Sequence, residues 1–396
     1  MGINIMCLTS AGGLPLFSRK MGNVEALPFS TIGSLNGVHM FAKSHGVSVE
    51  STQTENATVL WKEYEDSVII IAVSILNEKR VLIDLLDTVF SAMVLSVGID
   101  SIKNIKNIER LKRDLRVSYS TIDSIMECLD YGDRGINSSH NIFNYVETIL
   151  CTEGNELQTC LDMFVERVSS MFGCVMIENC VAAATESWWD LAQMERKLLT
   201  HVLMTNTNCT IFDIPVFLPH ESPTVPFRFV GVCLISSIWV GVLCGPTPDL
   251  SAVQSTAYQV WSPVLTTLKF AYQTYPRNIP HSVQIHNSVI GILLIETSIG
   301  KYLSCTNISG SKKEQKSFSE VLKTFFYQAA SILVDNDDAD TPSETYWCAE
   351  YHKLHALKDG NTIICSMYHS SIPTNTMRLI SQQTLSLLTK DSNIHW

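Results

Sequence analysis

The residue types best suited to metal chemistry lie close together near the end of the chain, at Cys348, His352 and His355. A thiolate and two imidazoles are ordinary zinc ligands. The pattern of residues 346–357, however, predicts a β-strand, in which alternate side chains point to opposite faces. Cys348 and His352 would then share one face and His355 the other. We therefore predict no metal site here.

A second candidate for metal binding is the acidic run at residues 335–340 (DNDDAD). A calcium-binding loop needs glycine at its sharp turn, where Asp340 stands, so we expect a solvated loop. The sequence also lacks the phosphate-binding GxxxxGK[ST] motif, GxGxxG, GxSxG and HExxH. No pair of acid and base residues stands out. We therefore expect no cofactor and no catalytic chemistry from this chain alone.

Composition indicates several compact cores, since 46% of the 396 residues are hydrophobic and only 17% are charged. The net charge of −11 argues against a nucleic-acid binder, which needs a basic surface to neutralise phosphates. Twelve cysteines without a CxxC pair, and a start that lacks the pattern of a secretory signal, predict a reduced, cytoplasmic protein.

One uncharged segment, residues 229–245 (FVGVCLISSIWVGVLCG), approaches the length of a membrane-spanning helix. It is rich in β-branched residues, contains Gly231 and Gly241, and is divided by two serines. These features favour two buried strands joined by a tight turn. We expect no transmembrane helix.

The elements that must position any functional residue follow a repeat. An apolar strand, a tight turn and a second apolar strand occur at residues 3–19, 174–185 and 289–306. A repeat longer than about a hundred residues indicates tandem domains and not a solenoid. The first copy predicts the order β-β-α-β-β-β-α-α. We predict an α+β protein with three domains, at 1–132, 145–273 and 285–396, each a mostly antiparallel five-stranded sheet flanked by helices, with linkers at 131–144 and 273–284.

The first predicted helix, residues 28–44, has apolar residues at helical spacing, namely Phe29, Ile32, Leu35, Val38 and Phe41. It also contains Gly33 and Gly37, each of which costs a helix interior roughly 0.5–1 kcal/mol relative to alanine. Two explanations stay open: close packing on the domain's own sheet, which the sequence favours, and docking of a partner domain.

A concentrated positive segment occurs at residues 103–116, with six bases and two acids. Its apolar positions are Ile105, Ile108, Leu111 and Leu115. The polar face suits an anionic lipid surface or an acidic partner. The ordinary alternative, which the sequence favours, is a solvated face with Glu109 paired to Lys112 and Arg113.

Two further features allow a packing or a binding role. Trp188 and Trp189 follow Ser187, a candidate N-cap of a helix over residues 187–205. Packing over the sheet is favoured above a partner hot spot. The segment at 215–228 is bracketed by prolines and predicts a stiff, extended loop.

Several sequence motifs occur in one order: GSLNGVHMF (33–41), TEN before a Trp-containing strand (54–61), NIERLKRDLR (107–116), AATESWW (183–189), PVFLPHESPTVP (215–226) and LCGPTP (243–248). By these motifs the chain resembles the Fuzzy family of planar-cell-polarity effectors. The resemblance covers residues 3–270, and in the third unit it is one of architecture. It implies three longin domains, whose element order is the one predicted above from the residues.

The resemblance also implies partners: an Inturned-like triple-longin protein, a WD-repeat planar polarity effector and a Rab-type small GTPase. A longin pair of this kind acts as a guanine-nucleotide exchange factor for a ciliary Rab, supporting ciliogenesis, planar cell polarity and vesicle trafficking. Its location would be cytoplasmic, at the cytoskeleton and the ciliary base. Exchange requires tighter binding of the nucleotide-free GTPase and no nucleophile. The alternative function is a non-catalytic trafficking adaptor or scaffold that uses sheet edges and helix faces.

For this chain, we expect a partner-binding face on the first helix, at Gly33, Leu35, Gly37, Met40 and Phe41. A separate expectation is peripheral contact with anionic membrane lipid, at Lys106, Arg110, Lys112 and Arg113.

Overall fold

The computed structural model describes residues 2–55, 57–75, 79–129, 142–206, 208–235, 237–306, 312–334 and 343–390. The chain divides into two compact units, Met1–Asn137 with Pro215–Pro226, and Ser138–Ile214 with Phe227–Trp396. Three sheets correspond to the three predicted repeats. The acidic run at 335–340 and most of the predicted linker at 131–144 lie outside the described residues.

The first sheet has the strand order β2-β1-β5-β4-β3 and is antiparallel throughout. All eight residues of its interior strand β1 are buried. The elements are β1 (Gly2–Thr9), β2 (Pro15–Gly22), α1 (Phe29–Ser44), β3 (Ser51–Gln53), β4 (Thr58–Tyr64) and β5 (Val68–Ser74).

The sequence of residues 104–131 predicts one helix, and this prediction is wrong, because helical structure begins only after Asn107 and includes a 3₁₀ turn. Gly98, at φ 76°, separates α2 from α3, and Asn104 ends α3. Asn107 then caps the next helix by accepting a hydrogen bond from the Arg110 backbone N–H at 3.0 Å. The segments are α2 (Lys79–Val97), α3 (Ile99–Lys103), α4 (Ile108–Asp114), a 3₁₀ turn (Leu115–Ser118) and α5 (Tyr119–Glu127).

The second sheet has the order β8-β7-β11-β10-β9. Strands β10 and β11 pair antiparallel, which confirms the hairpin predicted for residues 229–245. Within the described segments, no helix has the length and apolar character needed to cross a bilayer. The elements from residue 146 are β6 (Val146–Glu147), α6 (Gly154–Arg167), β7 (Phe172–Ile177), β8 (Cys180–Ala184), α7 (Glu186–Asp190), α8 (Gln193–Thr205), β9 (Ile211–Leu218), β10 (Ser222–Ile235), β11 (Ile238–Cys244), α9 (Leu250–Trp261), a 3₁₀ turn (Ser262–Val264) and α10 (Leu265–Tyr272).

Two helix predictions in this region need correction. The helix predicted over residues 187–205 is interrupted because Leu191 and Ala192 adopt extended ψ angles of 150° and 142°. Its N-cap is Thr185, whose hydroxyl accepts from the Trp188 N–H, and not Ser187. The sequence of residues 250–272 also predicts one helix, but the structure divides it at Pro263, whose ring nitrogen cannot donate a helical hydrogen bond.

The third sheet has six strands, one more than predicted, in the order β14-β15-β16-β12-β13-β6. The additional strand is β6, which precedes the second domain's first helix and pairs parallel to β13. The elements are β12 (Val289–Glu296), β13 (Lys301–Thr306), α11 (Lys312–Leu333), β14 (Glu344–Cys348), β15 (His352–Asp359), β16 (Thr362–His369) and α12 (Thr374–Lys390).

The predicted strand over residues 346–357 is two strands, β14 and β15. The turn closes through a bond from the Ala349 N–H to the His352 carbonyl at 3.0 Å, so Cys348 and His352 lie on different strands. His355 is buried, and its ring nitrogens contact Ser381 Oγ at 2.9 Å and a Glu344 carboxylate oxygen at 3.4 Å. Across the described residues, no three His, Cys, Asp or Glu side chains come together in a way that could hold a metal ion.

We predict that Gly98→Ala destabilises the first unit. Gly98 has a left-handed backbone, and an added Cβ would lie 2.9 Å from Cε1 of Phe217 in the segment 215–226 of the same unit. Left-handed strain alone costs about 1–3 kcal/mol. Calorimetric thermal unfolding should show a lowered transition temperature. The control is Gly37→Ala, where a Cβ meets no atom within 4 Å and alanine favours the helix, so the opposite sign is expected. An unchanged transition for Gly98→Ala would contradict the analysis.

We also predict that stability falls as pH drops below about 6.5. Burial, with Lys197 nearby, lowers the pKa of His201 well below its usual value. Below this pH the unfolded chain binds a proton at His201 and the folded chain does not. The free energy of unfolding therefore falls by at most about 1.4 kcal/mol per pH unit. Denaturant unfolding between pH 7.5 and 5 should show a smaller loss for His201→Gln than for the wild type. The exposed His281→Gln serves as control. Equal pH slopes for His201→Gln and the wild type would refute the prediction.

Candidate partner-binding surfaces

Helix α1 has an exposed side formed by large apolar residues and glycines. The exposed fractions are 75% for Phe29, 37% for Met40 and 69% for Phe41. Gly33 and Gly37 follow Phe29 at intervals of four residues, so they lie on the same side of the helix. We call these five residues the glycine–aromatic stripe.

No described residue packs against the glycines of this stripe. A Cβ built at Gly33 or Gly37 would meet no atom within 4 Å. The explanation that the sequence favoured, close packing of the helix on its own sheet, is therefore wrong at these two positions. The glycines leave open space on the outer side, where another backbone could approach closely.

The inner side of α1 holds the helix on the sheet. Ile32 and Leu35 pack against a cluster of buried residues that includes Trp61. The Trp61 indole N–H also donates to the Leu35 carbonyl at 3.1 Å. Of the five residues expected to bind a partner, Leu35 thus faces its own core, and Gly33, Gly37, Met40 and Phe41 are exposed.

Electrostatic contacts fix the C-terminal part of α1. Glu63 on β4 pairs with Lys43, at 2.5 Å between Nζ and Oε1, and lies 3.9 Å from the buried His39 ring. Burial lowers the pKa of His39, so the neutral ring is favoured there. These contacts set the rotation of the helix and with it the direction in which the glycine–aromatic stripe faces.

The basic segment surrounds helix α4. Arg110 and Arg113 are 75% and 72% exposed at their side chains, Lys106 is exposed, and Lys112 is half-buried. The predicted pair of Glu109 with Lys112 is present, at 3.0 Å.

The two arginines of this segment share a different acid. Asp114 lies 3.5 Å from Arg110 and 3.8 Å from Arg113, so the predicted pairing of Arg113 with Glu109 is replaced. Exposed pairs of this kind contribute about 0–1 kcal/mol. They leave the arginines able to exchange their partner for an anionic surface.

Trp189 is half-buried in the second unit. The Arg196 guanidinium lies 5.3 Å and the Lys301 ammonium 5.5 Å from its ring centre, within the range of cation–π attraction. Arg196 also donates to the Ile299 carbonyl. Burial lowers the pKa of Lys301 to about 8 and that of Arg196 to about 10. The tryptophan pair therefore packs, as the sequence favoured, while the cations on Trp189 have no sequence signature.

Comparison with known proteins shows which family of domains this chain matches. Residues 3–125, 168–262 and 288–392 match models of the first, second and third longin domains of FUZ, MON1 and HPS1. The chain is 35% identical over 416 residues to a protein fuzzy homolog of Xenopus tropicalis, with 98% of each chain covered.

Two mammalian relatives give the same result. The protein fuzzy homolog of Homo sapiens is 38% identical over 351 residues, covering 87% of this chain and 82% of the relative. The protein fuzzy homolog of Mus musculus is 32% identical over 414 residues, covering 98% and 97%. The chain therefore belongs to the Fuzzy family and is built from three tandem longin domains.

Proposed function

We propose that this chain is a subunit of a ciliogenesis and planar polarity effector complex and pairs with an Inturned-like triple-longin protein. The observation that carries the proposal is the glycine–aromatic stripe on α1, an exposed apolar surface in a chain of the Fuzzy family. We assign the pairing contact to this stripe.

The composition of α1 supports that assignment. No Asp, Glu, Lys or Arg occurs from Phe29 to Ala42, and interface cores are depleted of charged residues. Phe29 and Phe41 lie near the two ends of the helix, with the open glycines between them. Aromatic residues, Phe among them, are enriched at protein interfaces.

In the proposed function the pair promotes nucleotide exchange on a Rab-type GTPase, with a WD-repeat effector as a further partner, at the cytoskeleton and the ciliary base. Binding the nucleotide-free GTPase more tightly than the loaded form would shift nucleotide out. Such exchange uses surfaces and no catalytic side chains. A trafficking adaptor would use similar surfaces, so activity must separate the two functions.

The test is the release of a fluorescent GDP analogue from a panel of ciliary Rab proteins. The assay would compare this chain alone, its Inturned-like partner alone and the purified pair. We expect acceleration by the pair and by neither chain alone. A stable pair that leaves every release rate unchanged would overturn exchange activity in favour of the adaptor.

The pairing face is tested by Gly37→Leu. The space beside Gly37 is open, so the variant should fold, while the leucine would fill the volume that a partner backbone needs. We expect at least a tenfold loss of affinity for the partner, about 1.4 kcal/mol, measured by isothermal titration calorimetry.

The matched control for this variant is Gly154→Leu. Gly154 lies in helix α6, and its Cβ position also has no atom within 4 Å. It should bind the partner like the wild type. Wild-type affinity in Gly37→Leu would refute the assignment of the stripe.

We further propose that the basic segment contacts anionic lipid. Each base near such a surface contributes about 1 kcal/mol, so reversing Arg110 and Arg113 to glutamate should abolish most vesicle binding. The measurement is co-sedimentation with phosphatidylcholine vesicles that contain phosphatidylserine. Lys269→Glu, at an exposed site on α10, is the control for a charge reversal outside the basic segment. Equal binding by the double variant and the control would exclude this contact.

A further inference from the structure

A cavity of about 720 Å³ lies in the second unit, between residues of the second and third longin domains. Its walls include Glu147, Glu178, Tyr272, Tyr275, Asn278 and Ser304. No lysine or arginine occurs among the described residues that line it. Neither the pairing face nor the basic segment contributes to it.

The polar atoms of this cavity are mainly acceptors. The Tyr272 hydroxyl donates to Glu178 at 2.8 Å, which raises the pKa of Tyr272. The Tyr302 hydroxyl donates to Glu147 at 3.2 Å. Burial raises the pKa of Tyr275, and the charges of Glu178 and Glu147 add to this, so its ring stays neutral. Two carboxylates and two neutral aromatic rings form an environment that favours a cation.

The nearby Arg277 donates hydrogen bonds to backbone carbonyls outside the cavity lining. Its guanidinium donates to the carbonyls of Pro280 at 2.9 Å and Val283 at 3.3 Å. It is not among the residues that line the cavity.

One buried hydrogen-bond acceptor at the cavity, the side-chain oxygen of Asn278, has no donor among the described residues. Asn278 is only 4% exposed. Its Nδ2 donates to the Ser304 carbonyl at 3.0 Å and lies 3.4 Å from a Glu147 oxygen, which fixes the orientation of the amide. Its Oδ1 is buried, and no described residue donates to it. Leaving such an atom without a hydrogen bond costs about 1–3 kcal/mol, and a shift of the amide toward a donor-rich ligand would relieve that cost.

We propose that this cavity binds a guanidinium group, carried by an arginine side chain of a partner protein. A guanidinium has five N–H donors and no acceptor, and it pairs with carboxylates in a planar, two-point geometry. It also stacks on aromatic rings, here those of Tyr272 and Tyr275. Glu178 supplies the carboxylate, and Asn278 Oδ1 accepts a further N–H once its amide shifts toward the cavity.

The test is calorimetric titration of the full chain with three probes. They are agmatine, a blocked Gly-Gly-Arg-Gly-Gly peptide, and the same peptide with citrulline in place of arginine. We expect saturable binding of the arginine peptide, no measurable binding of the citrulline peptide, and weaker binding of agmatine. Citrulline binding as tightly as arginine, or no saturable binding of the arginine peptide, would overturn the site. Agmatine binding more tightly than the peptide would overturn the assignment to a protein side chain.

Site-directed variants locate the binding. Glu178→Gln keeps the shape of the side chain, and we expect about a tenfold loss of affinity for the arginine peptide, since charge-assisted hydrogen bonds are roughly twice as strong as neutral ones. Glu156→Gln is the matched control, because Glu156 also accepts one hydroxyl, from Thr267 at 3.0 Å, and lies outside the cavity. Equal loss in both variants, or no loss in Glu178→Gln, would refute the site. None of these measurements depends on exchange activity.

Discussion

Each of the three sheets has interior strands that are buried on both faces, and the rest of the architecture depends on covering them. All residues of β1 and β11 and seven of the eight residues of β12 are buried. Burial of such strands is favourable by about 25 cal/mol for each Å² of apolar surface removed from water. Helices must therefore occupy both faces of each sheet. In the first domain this requirement holds the inner side of α1 on the sheet and leaves the glycine–aromatic stripe as its outer side.

The second unit tolerates charge inside because each buried cation has a polar or aromatic neighbour. The Lys197 ammonium donates to the Tyr145 carbonyl at 3.2 Å, and Arg196 and Lys301 lie against Trp189. Desolvation still opposes these cations, as the lowered pKa values of Arg196 and Lys301 indicate. Such contacts favour one arrangement of the packed elements over others. In this unit α8 and β6 bring residues of the second and third domains into that shared interior.

Much of the fold could be predicted from local pattern. The hairpin of β10 and β11 could be predicted from residues 229–245, because two apolar runs rich in β-branched residues are divided there by two serines. Breaks within predicted strands, and very short strands, were less predictable. The break between β14 and β15 falls in a polar stretch with no glycine or proline, and β6 has only two residues.

The candidate sites, too, were predictable from local pattern only in part. The spacing of Gly33 and Gly37 indicated that another part of the protein, or a partner, approaches the helix closely there. Only the structure shows that the open space lies on the outer side of the helix. The side chains around Asn278 were beyond prediction, since Glu147 and Asn278 are 131 residues apart and their contact depends on two packed domains. A single sequence carries no periodic signal for such a contact.

The short strand β6 has a consequence for how the third domain is made and how it can be isolated. The residues of β6 are synthesised before the helices and the sheet of the second domain, and β13, with which β6 pairs, is synthesised much later. The Thr148 hydroxyl, next to β6, donates to the Tyr302 carbonyl on β13, and these two residues are 154 positions apart. Closing so long a loop is entropically costly, so β6 should be added late, on a sheet that is already formed. A fragment that begins at residue 285 would have an uncovered β13 edge, available to a neighbouring chain. The natural unit for expressing the third domain therefore begins before residue 146.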